Sequence, residues 1–396
     1  MATMRAATIP NPRATKPPSN KAVGTWSGGR YLRFGEKIEP ERLEALLRPG
    51  EGIDTVLTAD VYGAGEADSL LGSALEGVSR DDYSLVGAVG HDFYEGERDG
   101  PKGFPRFTDP ALRGSDEYAG YLRMATERSL ERLGQDRFDL LLLHNPDRTG
   151  YESEEVWAGM AALRDAGLAG GIGVAPGPAN GFTLDLVRCF ERFGDAIDWA
   201  MIILNPLEPW PGELCLDAAA RHGVRLITRV VDYGGIFWDD VTPETELPRG
   251  DHRSFRPEGW IAEGRAKLDR LRPIAQRVKL TPMQLAGQWN LAHPAVECVV
   301  PTLIQESGEG ARPIEDKRSE LATMPAEQRL SADQVEEIRS IGDNAGCMAL
   351  KGATPDHTGE ERPDRWAVSE ELAGVASEWG IDPERDLRYL AAEPAR

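Results

Sequence analysis

The chain has 396 residues, 40% of them hydrophobic, with 43 glycines and 28 prolines, enough for a large core in one big α/β domain or two smaller ones. Its 66 acidic residues against 45 basic ones leave a formal charge of -21, which argues against nucleic-acid partners and anionic membrane surfaces. No apolar run approaches the ~18 residues of a membrane span and the N-terminus lacks the apolar core of a signal peptide, so a soluble cytoplasmic protein is expected.

Residues 1–20, with four prolines and little apolar periodicity, read as a flexible arm. Compact β-branched or leucine-rich runs then predict strands near Val23–Trp26, Ile53–Leu57, Ser84–Val89, Asp139–Leu143, Gly171–Val174, Trp199–Leu204, Arg225–Arg229 and Glu297–Val300. Amphipathic patterns between them predict helices at Pro40–Leu47, Glu66–Leu75, Tyr118–Leu133, Glu154–Ala166, Leu184–Arg192 and Gly212–His222, and one long stretch over Ile261–Leu291. "SDEYAGYLRMATERSLERLG" shows the logic: a Ser cap, acids in the first turn, apolar residues at helical spacing and Gly134 as the stop.

Eight strands alternating with helices predict a (β/α)8 TIM barrel over residues 21–349. A doubly wound sheet is weakened because no GxGxxG follows the first strand. Long loops follow the third strand (91–114) and the seventh (230–260), on the face where barrels build their sites; both are rich in aromatics and are expected to cover the site. A polar C-terminal extension, 350–396, holds a late helix around Ser369–Trp379. Cys189, Cys215, Cys298 and Cys347 have no CxxC or Cys-His spacing, so reduced buried thiols are expected, and no metal is indicated.

"LTADVYGAGEADSLLGSAL" and "FDLLLLHNPD", followed in order by "ATERSLERLG", "ALRDAGLAGGIGV" and "LTPMQLAGQWNLAHPAVECVVP", resemble the aldo-keto reductase superfamily over roughly residues 21–345. The resemblance implies the barrel and reduction of a carbonyl with NADPH through a tyrosine proton donor, a histidine that orients the carbonyl, and a lysine and an aspartate that lower the tyrosine's pKa. The tyrosine falls on Tyr62 and the histidine on His144. The aspartate position is Leu57 and the lysine position is Ala88. Asp54, Asp60 and Lys102 make no convincing substitutes, and loss of both partners together avoids a lone buried charge. The nicotinamide contacts also depart: Ala175 and Pro176 stand for a Ser-Asn pair, Met201 for a glutamine and Arg229 for the stacking tyrosine, and the phosphate-binding segment "VPTLIQESGEGARPIEDKRSELA" is rearranged and acidic.

His91 and Asp92, after the third strand, are candidates for a replacement base or acid, alongside Tyr62 and His144 as the catalytic pair. Asn145, Arg229, Asp232, Trp26 and Trp238 are candidates to bind substrate; Arg229 suits a carboxylate, and the tryptophans suit a sugar or aromatic ring. Glu208, Trp210 and Phe237 lie near the same strand ends; for every one of these residues the competing reading is packing or a satisfied loop position in an inherited scaffold. His222, His252, His293 and His357 carry no case for catalysis. A metal site from His91, His144, Glu208 and Asp232 has no spacing signature. The leading expectation is cofactor-free acid–base chemistry (a lyase, isomerase or hydratase) on a carbonyl-bearing or sugar-like small molecule. The alternatives are an NADP(H)-dependent oxidoreductase with an altered pocket, or an inactive barrel serving as a binding subunit. A homo-oligomer is left open.

Overall fold

The computed structural model describes residues 15–99, 103–177, 182–256, 258–344 and 368–387. Eight strands, β1 (Ala22–Gly24), β2 (Thr55–Leu57), β3 (Ser84–Val89), β4 (Phe138–His144), β5 (Ala169–Ala175), β6 (Trp199–Ile203), β7 (Arg225–Arg229) and β8 (Val296–Val300), pair in parallel and in sequence order. A parallel bridge between Lys21 and Val299 brings the last strand back to the first. This is the expected (β/α)8 barrel. Strand alternation sorts the side chains: Val56, Leu85, Leu141, Ile172 and Ala200 face the helices, while Leu57, Val86, Leu142, Ala175 and Met201 face the barrel axis.

Around the sheet run α1 (Pro40–Leu47), α2 (Glu66–Leu75), α3 (Tyr118–Leu133), α4 (Arg148–Glu152), α5 (Glu154–Asp165), α6 (Phe182–Phe193), α7 (Leu216–Arg221), α8 (Trp260–Arg277), α9 (Pro282–Leu291), α10 (Ile314–Ala322) and α11 (Ala332–Gly342). The stretch expected as one helix over Ile261–Leu291 is two. Lys279 has φ 56°, and Thr281 caps α9 through a capping box with Gln284, with Pro282 at the first helical position.

Of the predicted arm, residues 1–14 lie outside the described residues. Lys16 is anchored beneath the barrel, its amide donating to Asp139 and its ammonium 2.6 Å from Asp54. Asp54 therefore sits at the N-terminal end, away from the loops that follow the strands. In the C-terminal segment α12 (Glu370–Glu378) and α13 (Pro383–Asp386) are described. The first docks on the flank of the barrel: Trp379 Nε1 donates to Glu191 at 2.7 Å and the Arg221 guanidinium lies 4.0 Å over the Trp379 ring. Lys102, Cys347 and His357 lie outside the described residues. Among the described residues, no helix is long and apolar enough to cross a membrane.

Candidate active site

A cavity of about 260 Å³ opens at the C-terminal ends of the strands, where several strands bring side chains together. Its floor is the apolar inner layer, including Leu57 and Ala88, 1% and 7% exposed. Tyr62 enters from the turn after β2, where Gly63 (φ 61°) and Ala64 (φ 52°) reverse the chain; a Cβ on Gly63 would press on the Tyr31 ring. His144 is the last residue of β4 and Arg229 the last of β7. The residue after each, Asn145 (φ 46°) and Val230 (φ 59°), is left-handed. For a β-branched valine that is a costly conformation, of the kind that gathers at working sites.

Tyr62 and His144 meet edge to face with ring centroids 5.7 Å apart. The Tyr62 hydroxyl has no hydrogen-bond partner among the described residues. With neither lysine nor aspartate beside it, burial pushes the phenol up to about 12, and the charge of Arg229 works in the opposite direction. Tyr62 is therefore a neutral phenol, able to donate a hydrogen bond or a proton but not to act as a ready base. Burial, reinforced by the charges of Arg106 and Arg229, holds His144 down at about 3. It is a neutral imidazole, with Nδ1 enclosed and without a partner.

His91 stands behind His144 (ring centroids 5.0 Å) and does not line the cavity. Arg106 Nη1 donates to its Nδ1 at 2.8 Å, and since arginine only donates, the proton belongs on Nε2. Asn145 Nδ2 lies 3.2 Å from that Nε2, and a proton on Nε2 is met by turning the Asn145 amide over so that its oxygen accepts. Burial and the Arg106 charge drive the His91 pKa well down. His91, expected as a second base, instead braces His144 and Asn145 from behind.

Of the residues read as candidates to bind substrate, Trp26, Asn145 and Arg229 line the cavity and Asp232 and Trp238 do not. Asp232 is fully buried and accepts from the Thr302 amide. Trp238 is also fully buried, its indole donating to the Thr302 carbonyl. Both fix the segment after β8. Asp92 is consumed by Arg113 and by the amides of Tyr94 and Glu95, and Glu208 pairs with Arg256 at 3.2 Å. Among the described residues no group of three His, Cys, Asp or Glu converges.

The two long loops behave differently. The loop after β7 supplies Val230, Gly234, His252, Arg253 and Arg256 to the cavity. The described residues of the loop after β3 supply nothing to it, because they fold back on the barrel flank: Phe107 stacks on Tyr121 of α3 at 5.1 Å and Arg113 closes on Asp92. In its place Leu32 and Phe34, from the connection after β1, form the second wall. His252, set aside on sequence, packs edge-on to Phe34 at 5.2 Å. His252, Arg253 and Arg256 belong to the loop 230–260, and their clustering in "DHRSFR" is a signal by which this wall could have been found.

The positions assigned by resemblance to the nicotinamide ring, Ala175, Pro176, Met201 and Arg229, all line the cavity. The first three bring no hydrogen-bonding side chain, and the Pro176 carbonyl already accepts from Arg229 at 2.9 Å. These residues do not fit the contacts by which the family holds that ring.

A model of the aldo/keto reductase family matches residues 22–342. The chain is 32% identical over 296 residues to a 6-dehydroglucose reductase of Agrobacterium fabrum, covering 72% of this chain and 84% of that protein. It is 23% identical over 337 residues to a probable voltage-gated potassium channel subunit beta of Arabidopsis thaliana, covering 81% and 94%. A solved glycerol dehydrogenase from Gluconobacter oxydans matches with TM-score 0.62 at 20% identity, covering 88% of this chain and 98% of that one. An aldo-keto reductase from Klebsiella pneumoniae in complex with NADPH matches with TM-score 0.54 at 18% identity, covering 84% and 94%.

Proposed function

Since the chain belongs to the aldo/keto reductase family, we propose that it is an oxidoreductase acting at the carbonyl of a small, sugar-like molecule. One observation carries this reading: Tyr62 and His144 come together at the mouth of an apolar cavity, on the face where barrels do their chemistry. The relatives named as a reductase and a dehydrogenase support the redox class, and the NADPH complex of one structural neighbour supports NADP(H) as the hydride source. Tyr62 hydrogen-bonds the substrate oxygen and exchanges the proton there. Neutral His144 fixes that oxygen without competing for the proton, and the apolar floor keeps water from it.

A second reading, non-redox acid–base chemistry on the same oxygen (isomerisation, elimination or hydration), is favoured by Leu57 and Ala88 and by the poor fit of Ala175, Pro176 and Met201 to a nicotinamide. Titration with NADPH separates the two, followed by tryptophan quenching, with Trp26 in the cavity wall as reporter. Saturable micromolar binding, with sugar-dependent NADPH oxidation lost in Tyr62→Phe, supports the oxidoreductase. No binding at millimolar nucleotide, with nucleotide-independent turnover lost in Tyr62→Phe, transfers the assignment to the second reading. Turnover that survives in both Tyr62→Phe and His144→Ala refutes both.

A further inference from the structure

The cavity has a charge pattern opposite to that of the molecule. The chain carries -21, yet among the described residues no aspartate or glutamate lines the cavity, while Arg229, Arg253 and Arg256 do. Two of these are neutralised: Arg253 lies 2.8 Å from Asp251 and 2.6 Å from Glu306, and Arg256 lies 3.2 Å from Glu208. Among the described residues no carboxylate comes within ion-pairing distance of Arg229. Its only hydrogen bond there runs from Nη2 to the Pro176 carbonyl, so most of its five N–H donors are unused. Arg229 is half-buried and its unused donors are in the wall of the cavity, open to a ligand. Val230, held left-handed immediately after it, makes its placement on β7 an imposed one.

We propose that Arg229 is a substrate-binding residue that takes a carboxylate, so that the substrate is an acidic, sugar-like carbonyl compound. This rests on the reading of Tyr62 and His144 as the carbonyl site. A planar guanidinium grips a carboxylate by two parallel hydrogen bonds, and one uncompensated positive charge matches one carboxylate better than a phosphate dianion. Arg229 and Tyr62 line the same cavity of about 260 Å³. Carboxylate and carbonyl therefore belong to a single small molecule.

The test compares three probes on the full chain by tryptophan quenching and thermal shift: D-glucuronate, D-glucose and glucose 6-phosphate. A charge-assisted pair of hydrogen bonds predicts glucuronate binding about tenfold or more tighter than glucose. That preference vanishes in Arg229→Gln and is weakened but not abolished in Arg229→Lys, which keeps the charge, loses the paired hydrogen bonds and guards against simple misfolding. The proposal is overturned by equal binding of glucuronate and glucose, by no glucuronate binding at millimolar concentration, or by a preference that persists in Arg229→Gln. Tighter binding of glucose 6-phosphate than glucuronate makes the anion a phosphate and also overturns it. The two assignments fail separately. Tyr62-dependent turnover of neutral sugars without acid preference sinks only the carboxylate site, and Arg229-dependent glucuronate binding without turnover sinks only the activity.

Discussion

Restoring the family's missing ion pair tests why Leu57 and Ala88 occur together. Leu57 pairs in register with Val86, so Ala88 lies two residues further along the adjacent strand on the same face. Strand spacing and rise place the two Cα atoms roughly 8 Å apart, within reach of a lysine and an aspartate. Leu57→Asp alone loses a buried leucine, about 2 kcal/mol, and leaves an unpaired carboxylate among Trp26, Val86 and Leu142, about 3–5 kcal/mol more. Ala88→Lys alone strands a cation in the same layer. In the double variant the charges face each other, so a double-mutant cycle by urea unfolding at pH 7 is expected to show a favourable coupling of roughly 2 kcal/mol. The new lysine brings a cation near Tyr62, which lowers the phenol from about 12 by on the order of 1–3 units. Ultraviolet difference titration against the same variant carrying Tyr62→Phe reads this shift. Coupling below about 0.5 kcal/mol, or an unmoved phenol, refutes the view that the two losses are one event.

His144, held at about 3 against about 6.5 unfolded, binds its proton more readily in the unfolded chain. Stability should therefore fall as pH drops from 6.5 to 4, with this residue contributing on the order of 3 kcal/mol. In His144→Gln the urea-derived profile flattens over that window, and a profile parallel to the parent's refutes the assignment. Asp60 is fully buried beside Asp68 and Asp92, with Arg132 as the opposing charge, and burial pushes its pKa well up. Its stability contribution is whole below pH ~4 and is lost as pH rises toward the folded value. Asp60→Asn should thus raise the melting temperature at pH 8 and lose that gain near pH 4; an equal gain at both values would mean shape, not charge, is responsible.

What the sequence determined by itself was whatever rests on local pattern. β3 and β7 and the helices Pro40–Leu47, Glu66–Leu75 and Tyr118–Leu133 fall where periodicity and caps put them, because burial on a strand or helix face repeats at a period that neighbouring residues reveal. Tyr62 and His144 were legible through the resemblance to the aldo-keto reductases and Arg229 through its place at the end of β7, and a parallel barrel gathers such strand ends on one face. Even the break between α8 and α9 was written locally, in Thr281, Pro282 and Gln284. Only the tertiary structure decided which charges are free. Asp92, Glu208 and Asp232 look equivalent to Arg229 in the chain, but Arg113, Arg256 and Thr302 claim them from 21, 48 and 70 residues away. Likewise it chose which long loop covers the site, since Phe107 and Arg113 tie one loop down by long-range contacts while the other remains over the mouth. Those partners are set by how elements stack in space, and spacing along the chain carries no record of them.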